Sequence, residues 1–310
     1  MRLVFLGTPA FAVPTLERIV EAGHHVLAVV TQPDRPSGRG RQPSAPPVKE
    51  TAARLGLPVY QPERVRRPEA VEHLRALAPD VMVVVGYGQI IPQAVIDIAP
   101  LGIINVHASL LPKYRGAGPI QWAIVNGETR TGVTTMRIDA GLDTGDMLLK
   151  AETEIGAEEN AIELGRRLAV LGADLLVETL QGLERGSIKP QKQDPTAATY
   201  APILKKEDGL IDWTQPAQAI HNRVRGLQPW PGAYTRLRGS TLQIWRSRAH
   251  ESDGGSPGSV VSLRPLAVAC GSGSLELLEL QLEGRKRIPA ADFVNGQRLA
   301  QNEMLGEPSH

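Results

Sequence analysis

The chain contains a single cysteine, Cys270, among 310 residues. No internal disulfide can form, and no Cys-based zinc spacing exists. That poverty suits a reducing cytoplasm. Excess charge of either sign is missing too: 34 Lys and Arg stand against 33 Asp and Glu, a net +1. The molecule as a whole is no polycation, so any nucleic-acid role must come from local patches. No apolar run approaches the ~20 residues that span a bilayer, and no membrane association is expected. Met1–Gly7 has too short an apolar stretch for a secretion signal and reads as a strand. Catalytic parts are absent as well. The one Gly-x-Ser-x-Gly match, Gly254–Gly258, falls among the Gly- and Pro-punctuated short strands of the C-terminal part and not in a strand–turn–helix elbow, and there is no Walker-type lysine loop and no Gly-x-Gly-x-x-Gly. Covalent nucleophilic catalysis, nucleotide hydrolysis and dinucleotide binding therefore lack their usual apparatus. Seven histidines are scattered without a His-x-x-x-His or His/Cys cluster, so no metal is expected.

What is present is an alternation of elements. Leu3–Leu6, Val26–Val30, Pro58–Tyr60, Val81–Val85 and Ile103–Val106 are short apolar runs. Helical spacing separates them at residues 10–22, 47–55 and 68–77. Strands alternating with helices predict a doubly wound, mainly parallel α/β sheet. Two further strands are expected at Thr131–Ile138 and Met147–Ile155, and long helical spacing over 160–183. From about residue 210 the texture becomes short strands punctuated by Gly and Pro, which predicts a small all-β barrel or sandwich. The expected division is residues 1–188, a linker at 189–208, and 209–310.

Within the run Gly102–Pro112, Asn105 and His107 occupy alternate positions of a predicted strand, so both side chains leave the same face. They sit at the strand's carboxyl end, where ligands bind in such sheets. A Gly-flanked acidic turn, Gly141–Asp146, offers Asp143 as a carboxylate for that imidazole. Two readings exist: polar residues capping a strand end, and an acid/base site. An Asn-x-His pair leading into a loop favours chemistry. With nucleophile, metal and phosphate loop missing, acid/base work beside an amide donor suits transfer of an acyl-like group to an amine.

Two basic features point elsewhere. The loop 31–47 is long for a β/α connection and carries Arg35, Arg39 and Arg41 against one acid, Asp34. It reads either as a solvated loop or as one that orders on a phosphate backbone. Segment 221–250 has arginines at 223, 225, 236, 238, 246 and 248 and no acid, interleaved with Trp230, Tyr234 and Trp245. Arg236/Arg238 and Arg246/Arg248 are spaced to share a strand face, which reads as a nucleic-acid platform or a solvated basic face.

Gly7-Thr8-Pro9, Thr31–Gly40, Val83–Gly88, Asn105–Gly116, Gly141–Asp146 and Ile211-Asp-Trp213 together resemble the folate-dependent formyltransferases. The resemblance covers nearly the whole chain, and its tRNA-acting branch is the one matched. It implies a Rossmann-like formyltransferase core with an OB-like C-terminal barrel. Asn105, His107 and Asp143 would be catalytic: the first two hold the formyl oxygen, and Asp143 orients His107 and helps move a proton through water. Ser109, Leu110, Leu111 and Pro112, with the backbone at Tyr87, Gly88, Gln89 and Ile90, would bound the site of 10-formyltetrahydrofolate. Arg39, with Arg35 and Arg41, would meet the acceptor end of methionyl-initiator-tRNA. Arg223, Arg236, Arg238, Arg246 and Arg248 would grip tRNA phosphates. A cytoplasmic monomer is expected. Rival readings are a relative acting on a small amine, such as a nucleotide sugar or glycinamide ribotide, and a non-catalytic RNA-binding protein. A nicotinamide oxidoreductase ranks behind both.

Overall fold

A computed structural model describes residues 1–37, 42–252 and 254–306. The chain packs as two units, neither of them continuous in sequence. One joins Met1–Gly116, Arg130–Glu154 and Gly165–Tyr200; the other joins Ala117–Thr129, Ile155–Leu164 and the chain from Ala201.

The first unit holds a sheet of seven strands: β1 (Arg2–Gly7), β2 (His25–Val30), β3 (Val59–Tyr60), β4 (Val81–Val85), β5 (Ile103–His107), β6 (Arg130–Arg137) and β7 (Met147–Glu154). Their spatial order is β7-β6-β5-β4-β1-β2-β3. The first five in sequence pair in parallel. Only β6 breaks this, running antiparallel to both β5 and β7. The mainly parallel sheet expected from the alternating pattern is thus present. Its central strands read as unbroken apolar runs because both faces are covered: all five residues of Val81–Val85 are buried. Helices Val13–Glu21, Pro47–Arg54 and Pro68–Ala76 each carry a proline in the first turn, where the missing N–H costs nothing.

Strand order reverses between β1 and β4, creating a crevice beyond their carboxyl ends. There Thr8 Oγ1 and Gln32 Nε2 both donate to the Tyr87 carbonyl, at 3.0 and 3.1 Å. Part of segment 189–208 is ordered within this unit: Gln191 and Met147 exchange two backbone hydrogen bonds of 2.8 Å.

In the second unit an antiparallel sheet comprises β8 (Ala233–Leu237), β9 (Ser240–His250), β10 (Val260–Leu263), β11 (Leu266–Ala269) and β12 (Ser274–Leu282), ordered β8-β9-β12-β11-β10. Alternation places Leu242, Ile244, Leu275 and Leu280 in its core with Ile211, Trp213 and Phe293. Phe293 comes from a helix, Ala290–Gln297, that the sequence reading did not expect. Among the described residues the edge strands β8 and β10 share no ladder. The gap is bridged by residues 302–306. Asn302 N–H donates to Val260 O (2.8 Å), Val260 N–H to Glu303 O (2.9 Å), and Gly306 N–H to Arg236 O (2.9 Å). Cys270 is buried in the core of this sheet, and desolvation pushes its thiol up to about 11; an inert thiol is what such burial produces.

Candidate active site

β5 ends at the sheet's carboxyl side, and its register with β6 fixes which side chains meet. Asn105 lies opposite Met136 and His107 opposite Thr134. Facing residues of a ladder share a face, so these four line one side. Ile104 and Val106 take the other side, where a side chain at Gly172 would come within 2.7 Å of Val106.

His107 is buried, and its ring is anchored through one nitrogen and faces a carboxylate with the other. Nε2 lies 2.9 Å from the carbonyl oxygen of Tyr114. A carbonyl only accepts, so Nε2 carries a proton. Nδ1 is left to face Asp143, whose Oδ2 stands 3.7 Å away. That is an electrostatic contact, beyond direct hydrogen-bond reach. The half-buried amide of Asn105 has no hydrogen-bond partner among the described residues. The trio read from the sequence is therefore brought together: Asn105 and His107 by alternation on β5, Asp143 by its turn.

That turn is tightly built. Asp143 adopts φ +52°, unusual without glycine. Its Oδ2 accepts from Gly116 N–H at 2.8 Å. Asp139 closes the loop by accepting from Gly141 N–H (3.0 Å) and Thr144 Oγ1 (2.7 Å). The flanking glycines are demanded by close approach. A Cβ on Gly141 would fall 2.0 Å from Thr144 Oγ1, and one on Gly145 would fall 1.9 Å from Arg137 O.

The segment after His107 is held from beneath by Thr134. Its hydroxyl donates to Ser109 O (2.7 Å) and accepts from Leu111 N–H (3.1 Å). Ser109 Oγ donates to Lys113 O (2.6 Å), and Lys150 Nζ donates to Leu111 O (2.5 Å); burial lowers the Lys150 pKa. Ser109 and Leu111 have 0% and 1% exposure. Side chains so enclosed shape the loop from inside, whereas Leu110 and Pro112 reach its surface. Tyr87 is likewise buried, and its phenol is pushed up by desolvation. Gly88 is exposed at φ +81°. Gln89 accepts from Val65 N–H at 2.8 Å, and Ile90 is 92% exposed.

The arginines divide. Arg35 is exposed, 3.4 Å from Gln32 Oε1; Arg39 and Arg41 lie outside the described residues. Arg223 donates to Asp208 O. Arg236 leaves the outer face of β8, but Arg238 does not share a strand face with it. The strand ends at Leu237, and Arg238 sits in the turn at φ +51°, paired with Glu303 at 2.7 Å. Arg246 and Arg248 do flank a buried Ser247 on one outer face. A bulge between Ile244 and Ser247 resets the alternation there. The acids missing from 221–250 come from the neighbouring strand, where Glu279 pairs with Arg246 at 3.5 Å. Among the described residues no group of His, Cys, Asp and Glu could hold a metal, and no helix is long and apolar enough to cross a membrane.

Sequence reading assigned no role to Thr134, Tyr114, Arg115 or Gln193. Tyr114 and Arg115 lie inside the Asn105–Gly116 stretch, which was a signal; Thr134 and Gln193 carry none, because their partners are distant in sequence.

The family model for formyl transferase matches residues 1–180, and that for the formyl transferase C-terminal domain matches 203–298. The chain is 75% identical over 308 residues to the methionyl-tRNA formyltransferase of Solibacter usitatus, covering 99% of each. It is 56% identical over 309 residues to that of Citrifermentans bemidjiense, covering 99% of this chain and 97% of the relative. Its fold is similar to HypX from Aquifex aeolicus in complex with tetrahydrofolic acid, with TM-score 0.67 and 19% identity. That match covers 98% of this chain and 48% of HypX, so the chain spans about half of HypX's length. WlaRD, a sugar 3N-formyl transferase, is also similar, with TM-score 0.68, 18% identity and coverage of 92% and 99%. The chain belongs to the formyl transferase family, and within it to the methionyl-tRNA formyltransferases.

Proposed function

We propose that this chain transfers the formyl group of 10-formyltetrahydrofolate to the α-amine of methionyl-initiator-tRNA, with Asn105, His107 and Asp143 as its catalytic residues. The observation that carries the site assignment is the His107 ring, tethered through Nε2 to Tyr114 O, with Nδ1 toward Asp143 and the unpartnered Asn105 amide on the same face. The amine lone pair attacks the formyl carbon, and the C=O π pair moves onto oxygen. Asn105 Nδ2–H and, in the doubly protonated ring, His107 Nδ1–H hold that oxyanion. The ammonium proton passes through water toward the Asp143 carboxylate. Collapse breaks the bond to folate N10, which takes up that same proton from Asp143 through water, so the transfer is proton-neutral.

Folate is assigned to the surface formed by Leu110, Pro112 and the Tyr87–Ile90 backbone, at the switch point of the sheet. tRNA phosphates are assigned to Arg35, Arg39 and Arg41 and to Arg223, Arg236, Arg246 and Arg248, with Arg238 acting while paired to Glu303. A cytoplasmic monomer, divided near residues 189–208, completes the reading. The test is transfer of labelled formyl from 10-formyltetrahydrofolate to charged initiator and elongator methionyl-tRNA and to small amines. Strong preference for the initiator is expected; equal labelling of small amines would overturn the assignment.

A further inference from the structure

The Asp143 turn carries a hydrogen-bonded brace that the mechanism has not used. Gln193 Nε2 donates to two carbonyls of the turn, Asp143 O and Gly145 O, each at 2.8 Å. Its Oε1 is held by Arg115, from Nε at 3.0 Å and Nη2 at 2.8 Å. Arg115 is 5% exposed, and among the described residues no carboxylate neutralises it. A buried guanidinium without an acid is costly to keep. Its two-pronged grip fixes which end of the amide is oxygen, so both N–H groups must point at the turn. Arg115 also immediately precedes Gly116, whose N–H holds Asp143 Oδ2 at 2.8 Å. One dipeptide thus anchors the carboxylate directly and its backbone through Gln193. The turn needs such restraint because Asp143 sits at φ +52°.

We propose that Gln193, oriented by Arg115, is a positioning residue that holds the Asp143 carboxylate at its working distance from His107. This rests on the catalytic reading of Asp143. Misplacing a reacting group by about 1 Å costs on the order of 10²-fold in rate. Gln193→Ala should therefore lower kcat by about 10- to 100-fold, with KM for 10-formyltetrahydrofolate within about twofold. In an Asp143→Ala background the same change should have less than about a twofold effect, since residues acting as a unit are non-additive. Gln193→Glu separates positioning from stability. It gives Arg115 a carboxylate, so the melting temperature should hold, but it cannot donate to the turn, so kcat should stay low. Wild-type kcat for Gln193→Ala, an equal loss in both backgrounds, or full activity of Gln193→Glu would each overturn the proposal while Asp143→Ala keeps only a measurable residual rate. Wild-type kcat for Asp143→Ala would overturn the catalytic reading itself, and this proposal with it.

Discussion

The ring of His107 is tethered to a main-chain oxygen: its Nε2 donates to Tyr114 O at 2.9 Å. A carbonyl cannot accept the proton, so the tether orients the ring without competing for chemistry. Nδ1 becomes the working atom, and Asp143 at 3.7 Å acts on it across a gap. Replacing His107 or Asn105 by Ala removes one oxyanion donor each. Loss of about 10²–10³-fold in kcat is expected for either variant, from ~2.7–4 kcal/mol per donor. Steady-state formyl transfer by folded protein checks this, and near wild-type turnover would remove the residue from the catalytic set.

Thr134 supports the loop after His107 through one hydroxyl with two partners, Ser109 O and Leu111 N–H. Thr134→Val keeps the shape and strands both groups in a buried site. Destabilisation of about 1–3 kcal/mol should follow for each group left unpaired. Urea unfolding would measure it, and KM for the folate donor should rise with it. Unchanged stability would mean that water replaces the hydroxyl.

Burial lowers the pKa of His221, outweighing the opposing pull of Glu158; its Nδ1 lies 3.1 Å from Ser247 Oγ. The folded ring stays neutral where the unfolded ring already binds a proton. Stability is then complete above the ordinary histidine value of ~6.5 and declines as pH falls through it. His24, lowered chiefly by burial, adds to the same trend. Unfolding free energy should fall from about pH 7 to about pH 5.5, and His221→Gln should flatten that slope in part. An identical slope in the variant would assign the pH dependence to other groups.

Arg248 is exposed and makes no ion pair among the described residues, whereas Arg238 is paired with Glu303 at 2.7 Å. Arg248→Ala should weaken tRNA binding and reduce the slope of log K against log salt by about 0.9, one phosphate contact. Arg238→Ala should change that slope less and lower stability more, because it frees Glu303. Titrations at several salt concentrations distinguish the two. Equal slopes for Arg248→Ala and wild type would take Arg248 out of the tRNA surface.

Much of this was legible because it depends on near neighbours. The run Val81–Val85 could only be a strand covered on both faces, and alternation alone placed Asn105 and His107 together. Asp143 needed only a turn bounded by glycines. Arg238 was misplaced because strand spacing was extended one residue past Leu237, where the backbone enters a left-handed turn. The apparent acid-free character of 221–250 vanished once β12 supplied Glu279 across the sheet. Gln193 was invisible for the same reason: its partners lie 48, 50 and 78 positions away, and a lone glutamine carries no pattern.

The bridge formed by residues 302–306 has a consequence for biosynthesis. Until that stretch is made, β8 and β10 have nothing between them, and their open edges invite pairing with other chains. The second unit therefore cannot complete its sheet while residues 302–306 are still inside the ribosome. Its assembly waits for that stretch, long after the sheet of the first unit has emerged. Slow elongation through that stretch would prolong the interval in which those edges stand unguarded.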